Sequence, residues 1–364
     1  MSRQVLVAVD GNSLLHRAFH ATAASAMRTS DGRASWAVHG FTSLLIGAVT
    51  RAGADALVIG FDDHTTSVRK DAHPSYKATR LEKPPELVAQ IAGTISMLRD
   101  AGICVVVPDG LEADDVLASA SRAGCAAGWR VVIATSDRDS FALINEHTSV
   151  LRLLNGGIAG SPVLTPDRLH TMYGVRPEQY RDYAAMRGDA SDNLKGIPGI
   201  GKKTAQKLLA RYGSTQAAFD AVDADPGGVG ATLGRAMATK LADATNRAAF
   251  ATTSKIMTMR TDVPLGLDFD DADGLGRLPL SPDLLIPALD SWELTGLQES
   301  ALRTLGGFAA VSRTQVDPYA NLQFPVAEPP DHSDDATGLP TSSTTVTAQP
   351  RRSEPADQLE LTLF

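Results

Sequence analysis

Four short apolar runs recur in the first 135 residues: QVLVAVD (4–10), DALVIGFD (55–62), ICVVV (103–107) and RVVIAT (130–135). Continuous runs of this length, bounded by polar residues, read as strands buried on both faces. Helical patterns near 13–23, 34–52, 86–101 and 112–127 separate them. Strand–helix alternation of this kind predicts a parallel sheet with helices on both faces. In such a sheet the working crevice lies outside the carboxyl ends of the strands.

Nine carboxylates stand at or just after those strand ends and at helix starts: Asp10, Asp62, Glu112, Asp114, Asp115, Asp137, Asp139, Asp189 and Asp192. Acids in a first helical turn are favoured by the helix dipole, and that alone explains many runs like LEADDVLASA (111–120). Here VAVDGNS (7–13), GFDD (60–63) and SDRDS (136–140) point to the same crevice, and mutual repulsion makes such a coincidence costly unless a cation offsets it. Hard divalent ions prefer oxygen ligands. A carboxylate set with no His or Cys partner points to Mg²⁺ or Mn²⁺. Two or more such ions suit phosphodiester hydrolysis.

The 364 residues are 43% hydrophobic, enough for one large domain or two smaller ones. No run reaches the roughly 18 apolar residues of a membrane span. The N-terminal MSRQVLVAVDGNS has no small-residue cleavage pattern and reads as a core strand. Cys104 and Cys125 read as reduced core residues, so a cytoplasmic, nucleoid-associated protein is expected. The net charge of −8 does not exclude a nucleic-acid partner. Residues 310–364 hold three basic and eight acidic residues, 3 − 8 = −5, whereas 193–219 contains Lys195, Lys202, Lys203, Lys207 and Arg211 and no acid. Local fields decide phosphate binding.

In MRGDASDNLKGIPGIGKKTAQKLL (186–209), Gly196, Gly199 and Gly201 permit a tight turn and close backbone approach. Backbone amides then open a helix at about 202, a ready phosphate site. Lys202, Lys203 and Lys207 add attraction to a duplex backbone. A Gly-rich helix–helix turn with solvated lysines would lack the adjacent acids. Residues 64–85 break the alternation and read as a mobile loop or partly helical arch. Its Arg69, Lys70, Lys77, Arg80 and Lys83, with Tyr76 between them, suit a strand gripped by charge and stacking. Arg17 is read two ways, facing a scissile phosphate or pairing with an acid. His16, His20 and His64 lack metal-ligand spacing and stay unassigned.

D-G-N-S (10–13), F-D (61–62), E-A-D-D (112–115), S-D-R-D (136–139) and G-D-A-S-D-N-L-K-G-I-P-G-I-G-K-K-T-A (188–205) resemble the 5′→3′ exonuclease domain of bacterial DNA polymerase I, a member of the structure-specific 5′-nuclease (flap endonuclease) superfamily. The resemblance covers about 1–305. It implies a PIN-like α/β nuclease domain with a helical arch, and a helix–three-turn–helix that grips duplex DNA and binds K⁺. All nine family carboxylates have a match. Asp10, Asp62, Glu112, Asp114 and Asp115 are expected to build mainly one metal region, and Asp137, Asp139, Asp189 and Asp192 the other. Arg17, Lys77 and Arg80 are the candidates for phosphate contact, and Lys195, Gly199, Gly201, Lys202, Lys203, Thr204 and Lys207 for the duplex. No polymerase sequence follows, so a stand-alone relative is expected.

The expected organisation is a PIN-like domain (1–165, arch about 64–85), a helical DNA-binding region (166–309, helix–three-turn–helix about 189–212), a disordered linker (310–357) and a terminal peptide (358–364). That peptide, QLELTLF, carries Leu359, Leu361, Leu363 and Phe364 behind Gln358. It resembles the bacterial sliding-clamp-binding motif, with folding back onto the protein's own surface as the alternative. The expected function is a Mg²⁺-dependent 5′-nuclease, acting as a monomer on DNA with a free or flapped 5′ end or on RNA primers. A PIN-class ribonuclease is the rival enzyme, and a non-catalytic DNA-binding scaffold the rival of another class.

Overall fold

A computed structural model of the chain describes residues 3–154 and 157–307. Six strands form one sheet: β1 (Val5–Asp10), β2 (Ala56–Gly60), β3 (Cys104–Val106), β4 (Arg130–Thr135), β5 (Thr148–Arg152) and β6 (Val163–Leu164), in the order β3-β2-β1-β4-β5-β6. The four pairings from β3 to β5 are parallel, and β6 runs antiparallel to β5. Every residue of β1 and β2 is buried, as the continuous apolar runs require. From β1 the chain winds outward through β2 and β3, then returns to β4 on the other side. Asp10 pairs with Gly60 and Val9 with Ala134, so the ends of β1, β2 and β4 lie side by side where the strand order reverses.

The first helices are α1 (Gly11–Thr22), α2 (Trp36–Ala52), α3 (Val68–Ala72), α4 (Pro85–Asp100) and α5 (Ala113–Ala126). Gly11 is needed where β1 turns into α1, because a Cβ there would collide with the buried Phe61 ring. At the head of α5, Asp115 Oδ2 accepts from the Glu112 backbone N–H (3.1 Å), fixing the first turn.

Beyond β6 the chain is mostly helical. It runs through α6 (Pro166–Tyr173), α7 (Pro177–Arg187), a hairpin of β7 (Gly188–Asp189) with β8 (Leu194–Lys195), then α8 (Lys202–Tyr212) and α9 (Thr215–Ala224). It continues through α10 (Pro226–Leu233), α11 (Arg235–Ala242), α12 (Ala244–Ile256), α13 (Pro282–Asp290) and α14 (Thr295–Thr304). One hydrophobic cluster runs from Leu6, Val58 and Val131 under the sheet to Tyr180, Ile197, Leu208 and Phe219 among the helices. Phe141, just after β4, packs edge-on against Tyr173 and Tyr180 at 5.3 and 5.2 Å. The helical region is therefore held in register with the strand ends by a shared core.

The four expected strands and four expected helices are present within two residues or so of their predicted limits, whereas β5, β6 and the β7–β8 hairpin were not anticipated. TSVLR and VL are too short and too polar to stand out. The proposed linker and terminal peptide lie outside the described residues. Among the described residues, no helix is long and apolar enough to cross a membrane.

Candidate active site

Asp10 ends β1 and caps α1. Its Oδ1 accepts from Ser13 N and its Oδ2 from Thr135 Oγ1, both at 2.8 Å. Burial, reinforced by the charges of Asp62 and Asp137, outweighs these bonds and pushes its carboxyl up to about 7. Asp62, two residues past β2, receives Ala113 N (2.9 Å) at the start of α5 and Asn12 Nδ2 (2.8 Å). Asn12 Oδ1 in turn accepts from Asp62 N (3.1 Å), so this side chain bridges the two strand ends. Sequence reasoning missed it, although it stands two residues after Asp10 in the same D-G-N-S.

Asp114 lies in the first turn of α5. Its Oδ1 is buried and has no hydrogen-bond partner among the described residues. Burial, then repulsion from Asp137, Asp10, Glu112 and Asp139, drives its carboxyl well above the usual range. Past β4, Asp137 Oδ1 accepts from Asp139 N (2.9 Å). Asp139 is likewise raised, by burial and then by Asp137, Asp189 and Asp192. Asp189 lies on β7 and accepts from Ser191 N (2.8 Å) and Ser191 Oγ (2.6 Å). Burial raises the Asp192 carboxyl, against the lowering pull of Lys77 and Arg80. Mutual repulsion thus links the acids into one cluster, from Asp10 through Asp114, Asp137 and Asp139 to Asp189 and Asp192.

The arch comes down onto this crevice. Lys77 Nζ donates to Glu112 Oε1 (2.6 Å) and Tyr76 Oη to Glu112 Oε2 (3.0 Å). Arg80 Nε donates to Asp192 Oδ1 (3.0 Å). The backbone joins in, with Lys77 N donating to Asp192 O and Asn193 Nδ2 to Ser75 O, both at 2.9 Å. Burial and the positive charges of Lys83, His20 and Arg80 pull His16 on α1 down to about 4, so a neutral imidazole faces the arch's far limb.

Three expectations change here. Arg69 was expected to grip DNA. Instead its guanidinium is buried in a bidentate pair with Asp115 (2.6 and 2.7 Å), and it also donates to Ile256 O and Thr258 O, both at 3.0 Å. Asp115 was expected among the metal ligands. It is fully buried, and it also accepts from Arg260 N (2.7 Å). Burial alone would raise its carboxyl, yet the Arg69 guanidinium and the backbone donors hold it below the usual carboxylate range. Tyr76, expected to stack on bases, is only 5% exposed and packs with Leu194 and Ile256. The partners from 256–260 carry no motif, so nothing in the sequence announced them. Arg17 donates to Ser136 Oγ (3.4 Å) and Leu153 O (2.8 Å), beside Asp137 in the chain. Lys70 is exposed on the outside of the arch.

On the other side of the hairpin, Gly201 precedes α8, and Lys202, Lys203 and Lys207 are exposed on it, as is Lys195 on β8. Thr204 is half-buried in the first turn of α8. Gly199 has φ +77°, a conformation suited to glycine, and its backbone lies against the Lys240 ammonium.

Among the described residues, no three Asp, Glu, His or Cys side chains are already gathered around one ion position. The donor set nevertheless fits hard cations. It is all oxygen, it includes the unpartnered Asp114 Oδ1, and Asp10, Asp114 and Asp139 all carry charge penalised by their neighbours. Two contiguous sequence families match this chain: the 5′-3′ exonuclease N-terminal resolvase-like domain over residues 5–174 and the 5′-3′ exonuclease C-terminal SAM fold over 175–276. The chain belongs to the 5′-3′ exonuclease family. The chain is 36% identical over 316 residues to DNA polymerase I of Mycobacterium tuberculosis, covering 87% of this chain and 33% of that one. It is 35% identical over 261 residues to thermostable DNA polymerase I of Thermus thermophilus, covering 72% and 29%. It therefore spans about a third of the length of these relatives. The fold of T5 5′-exonuclease, solved with zinc bound, superposes with a TM-score of 0.56 at 16% identity, covering 83% of this chain and all of that one. The catalytic core of Rad2 in complex with DNA superposes with a TM-score of 0.54 at 13% identity, covering 82% and 91%.

Proposed function

We propose that this 5′→3′ nuclease hydrolyses phosphodiesters at DNA 5′ ends and flaps with divalent metal, Mg²⁺ or Mn²⁺, held among Asp10, Asp62, Glu112, Asp114, Asp137, Asp139, Asp189 and Asp192. The observation that carries this reading is the buried, unpartnered carboxylate oxygen of Asp114 amid carboxyls pushed upward by burial and by one another. Bound divalent ions would supply activated water and stabilise the leaving oxyanion. The protein's own residues do the rest. Thr135, Ser13, Asn12 and the Ala113 amide aim the carboxylates of Asp10 and Asp62. Lys77 and Arg80 bring positive charge to the mouth of the site, where a phosphate would enter. Arg17 ties the ends of β4 and β5 together through Ser136 and Leu153 O. A 5′-labelled flap duplex, incubated with Mg²⁺ beside nicked, blunt and single-stranded controls, tests the reading. Cleavage at the flap base that EDTA stops is the expected result, and equal cleavage of RNA hairpins would favour the ribonuclease reading.

The exposed Lys202 and Lys203 at the start of α8, with Lys195 and Lys207, support a duplex grip on backbone phosphates, and the turn before α8 is the proposed K⁺ position. Changing Lys202 and Lys203 to Ala should weaken all duplex substrates alike, each lost contact reducing the slope of log K against log salt by roughly 0.9. The 358–364 peptide is proposed to dock on a sliding clamp, raising the local concentration of a cytoplasmic, monomeric nuclease on DNA. Its removal should abolish clamp stimulation and spare cleavage of free flap DNA.

A further inference from the structure

Two unlike joints fasten the arch to the crevice. At the first, Arg69 ties α3 to the head of α5 through Asp115 and to the chain after α12 through Ile256 O and Thr258 O. Asp115 is saturated there by further bonds from Glu112 N and Arg260 N. At the second joint, Lys77 and Arg80 reach Glu112 and Asp192, which border the open crevice. Lys77 Nζ and Glu112 are each 12% exposed at the side chain, so the ammonium stands inside the site rather than over it. The backbone there is under tension, since Lys77 has φ +54°, a left-handed conformation uncommon for a residue with a Cβ. It is held by the Lys77 N–Asp192 O bond and by the Glu112 pair.

We propose that the second joint is a cation-exchange latch: divalent ions entering the site displace Lys77 and Arg80 from Glu112 and Asp192, so metal loading and release of residues 74–83 form one linked equilibrium, while the Arg69–Asp115 joint stays closed. The proposal rests on the metal-dependent reading above. The direction follows from charge. A divalent ion competes with a monovalent ammonium for the same oxygens, and once Nζ leaves, the strained backbone at Lys77 loses one of its restraints. Linkage makes the effect reciprocal, so removing the ammonium must strengthen metal binding. The latch also leaves the released Lys77 and Arg80 at the mouth of the loaded site, available to substrate phosphate.

The test uses the full chain without DNA. Mn²⁺ affinity is measured by electron paramagnetic resonance for the wild type, Lys77→Met and Lys70→Met, the last removing an equal charge from the exposed side of the arch. In parallel, amide exchange is followed over 74–83 and 256–260 in the wild type as Mn²⁺ is added. Expected are Mn²⁺ binding tighter by roughly fivefold or more in Lys77→Met than in Lys70→Met, and faster exchange over 74–83 with no change over 256–260. Equal affinities in the two variants, or greater protection of 74–83 with metal, would overturn the latch alone. Failure of the wild type to bind Mn²⁺ would overturn the metal reading and the latch together. The wild-type exchange measurement decides the matter even if Lys77→Met folds poorly.

Discussion

Asp114 and Asp115 are consecutive residues in one helical turn, yet their carboxyls are driven in opposite directions. Asp114 faces other carboxylates and has an oxygen with no donor, whereas Asp115 faces Arg69 and the backbone amides of Glu112 and Arg260. The contrast extends across the crevice. Asp10 and Asp62 are held by neutral amides and hydroxyls, and Glu112 and Asp192 by the arch's cations. Neutral donors orient a carboxylate without discharging it, which leaves it hungry for metal, while a buried guanidinium satisfies its partner and turns it into structure.

The largest expected effect separates the two neighbours. Asp114→Asn should lower flap cleavage by about three orders of magnitude, on the order of 4 kcal/mol of barrier, without destabilising the metal-free protein. A variant cleaving like wild type would erase the distinction. Asp115→Asn should act chiefly on the fold. It leaves Arg69 buried opposite a neutral amide, a loss of about 3 kcal/mol visible as a lower urea midpoint, with residual cleavage that follows the folded fraction. Should Asp115→Asn be fully stable and dead, Asp115 belongs with the metal ligands after all.

The next effect is on pH dependence. Asp10's folded carboxyl stands near 7, above its unfolded value, so the folded state binds the extra proton between those limits. Stability of the metal-free protein should be highest below about pH 4 as far as this group is concerned, and fall as pH rises through 7, with a drop on the order of 2 kcal/mol between pH 5 and 7.5. Urea titrations at pH 5 and 7.5 should show that drop, and Asp10→Asn should flatten it. A wild-type midpoint that rises over this interval would contradict the assignment. The smallest effect concerns the cation-held set. Tyr76→Phe removes one bond to Glu112 and should cost about 1 kcal/mol with little change in cleavage, whereas a large catalytic loss would return Tyr76 to the substrate.

The strands and the acids at their ends were legible because full burial leaves a continuous apolar run and a charge that stops it. VAVD and GFDD mark both the end of a strand and the position of a candidate site residue. The lysines of GIPGIGKKTA were legible for a related reason, since a turn needing glycines sits beside a helix start. What could not be read was which acid has a cation of its own. Arg69 finds Asp115 across 46 residues and Thr258 across 189, and no local pattern encodes contacts so distant. The arch looked like a free, basic loop because its charges were visible and their partners were not.

The β7–β8 hairpin joins the two halves of the molecule's work. Gly188 pairs with Lys195 and Asp189 with Leu194, and neither Gly188 nor Gly196 has room for a Cβ against the backbone facing it. Asp189, a proposed metal ligand, and Lys195, a proposed duplex contact, are thus bolted to opposite strands of a two-rung ladder. The hairpin works as a ruler. On the proposed reading, the distance between the duplex-binding helix and the metal site is fixed by backbone geometry rather than by side-chain reach, so a bulkier residue at either glycine should blur the position of the cut before it slows the cutting.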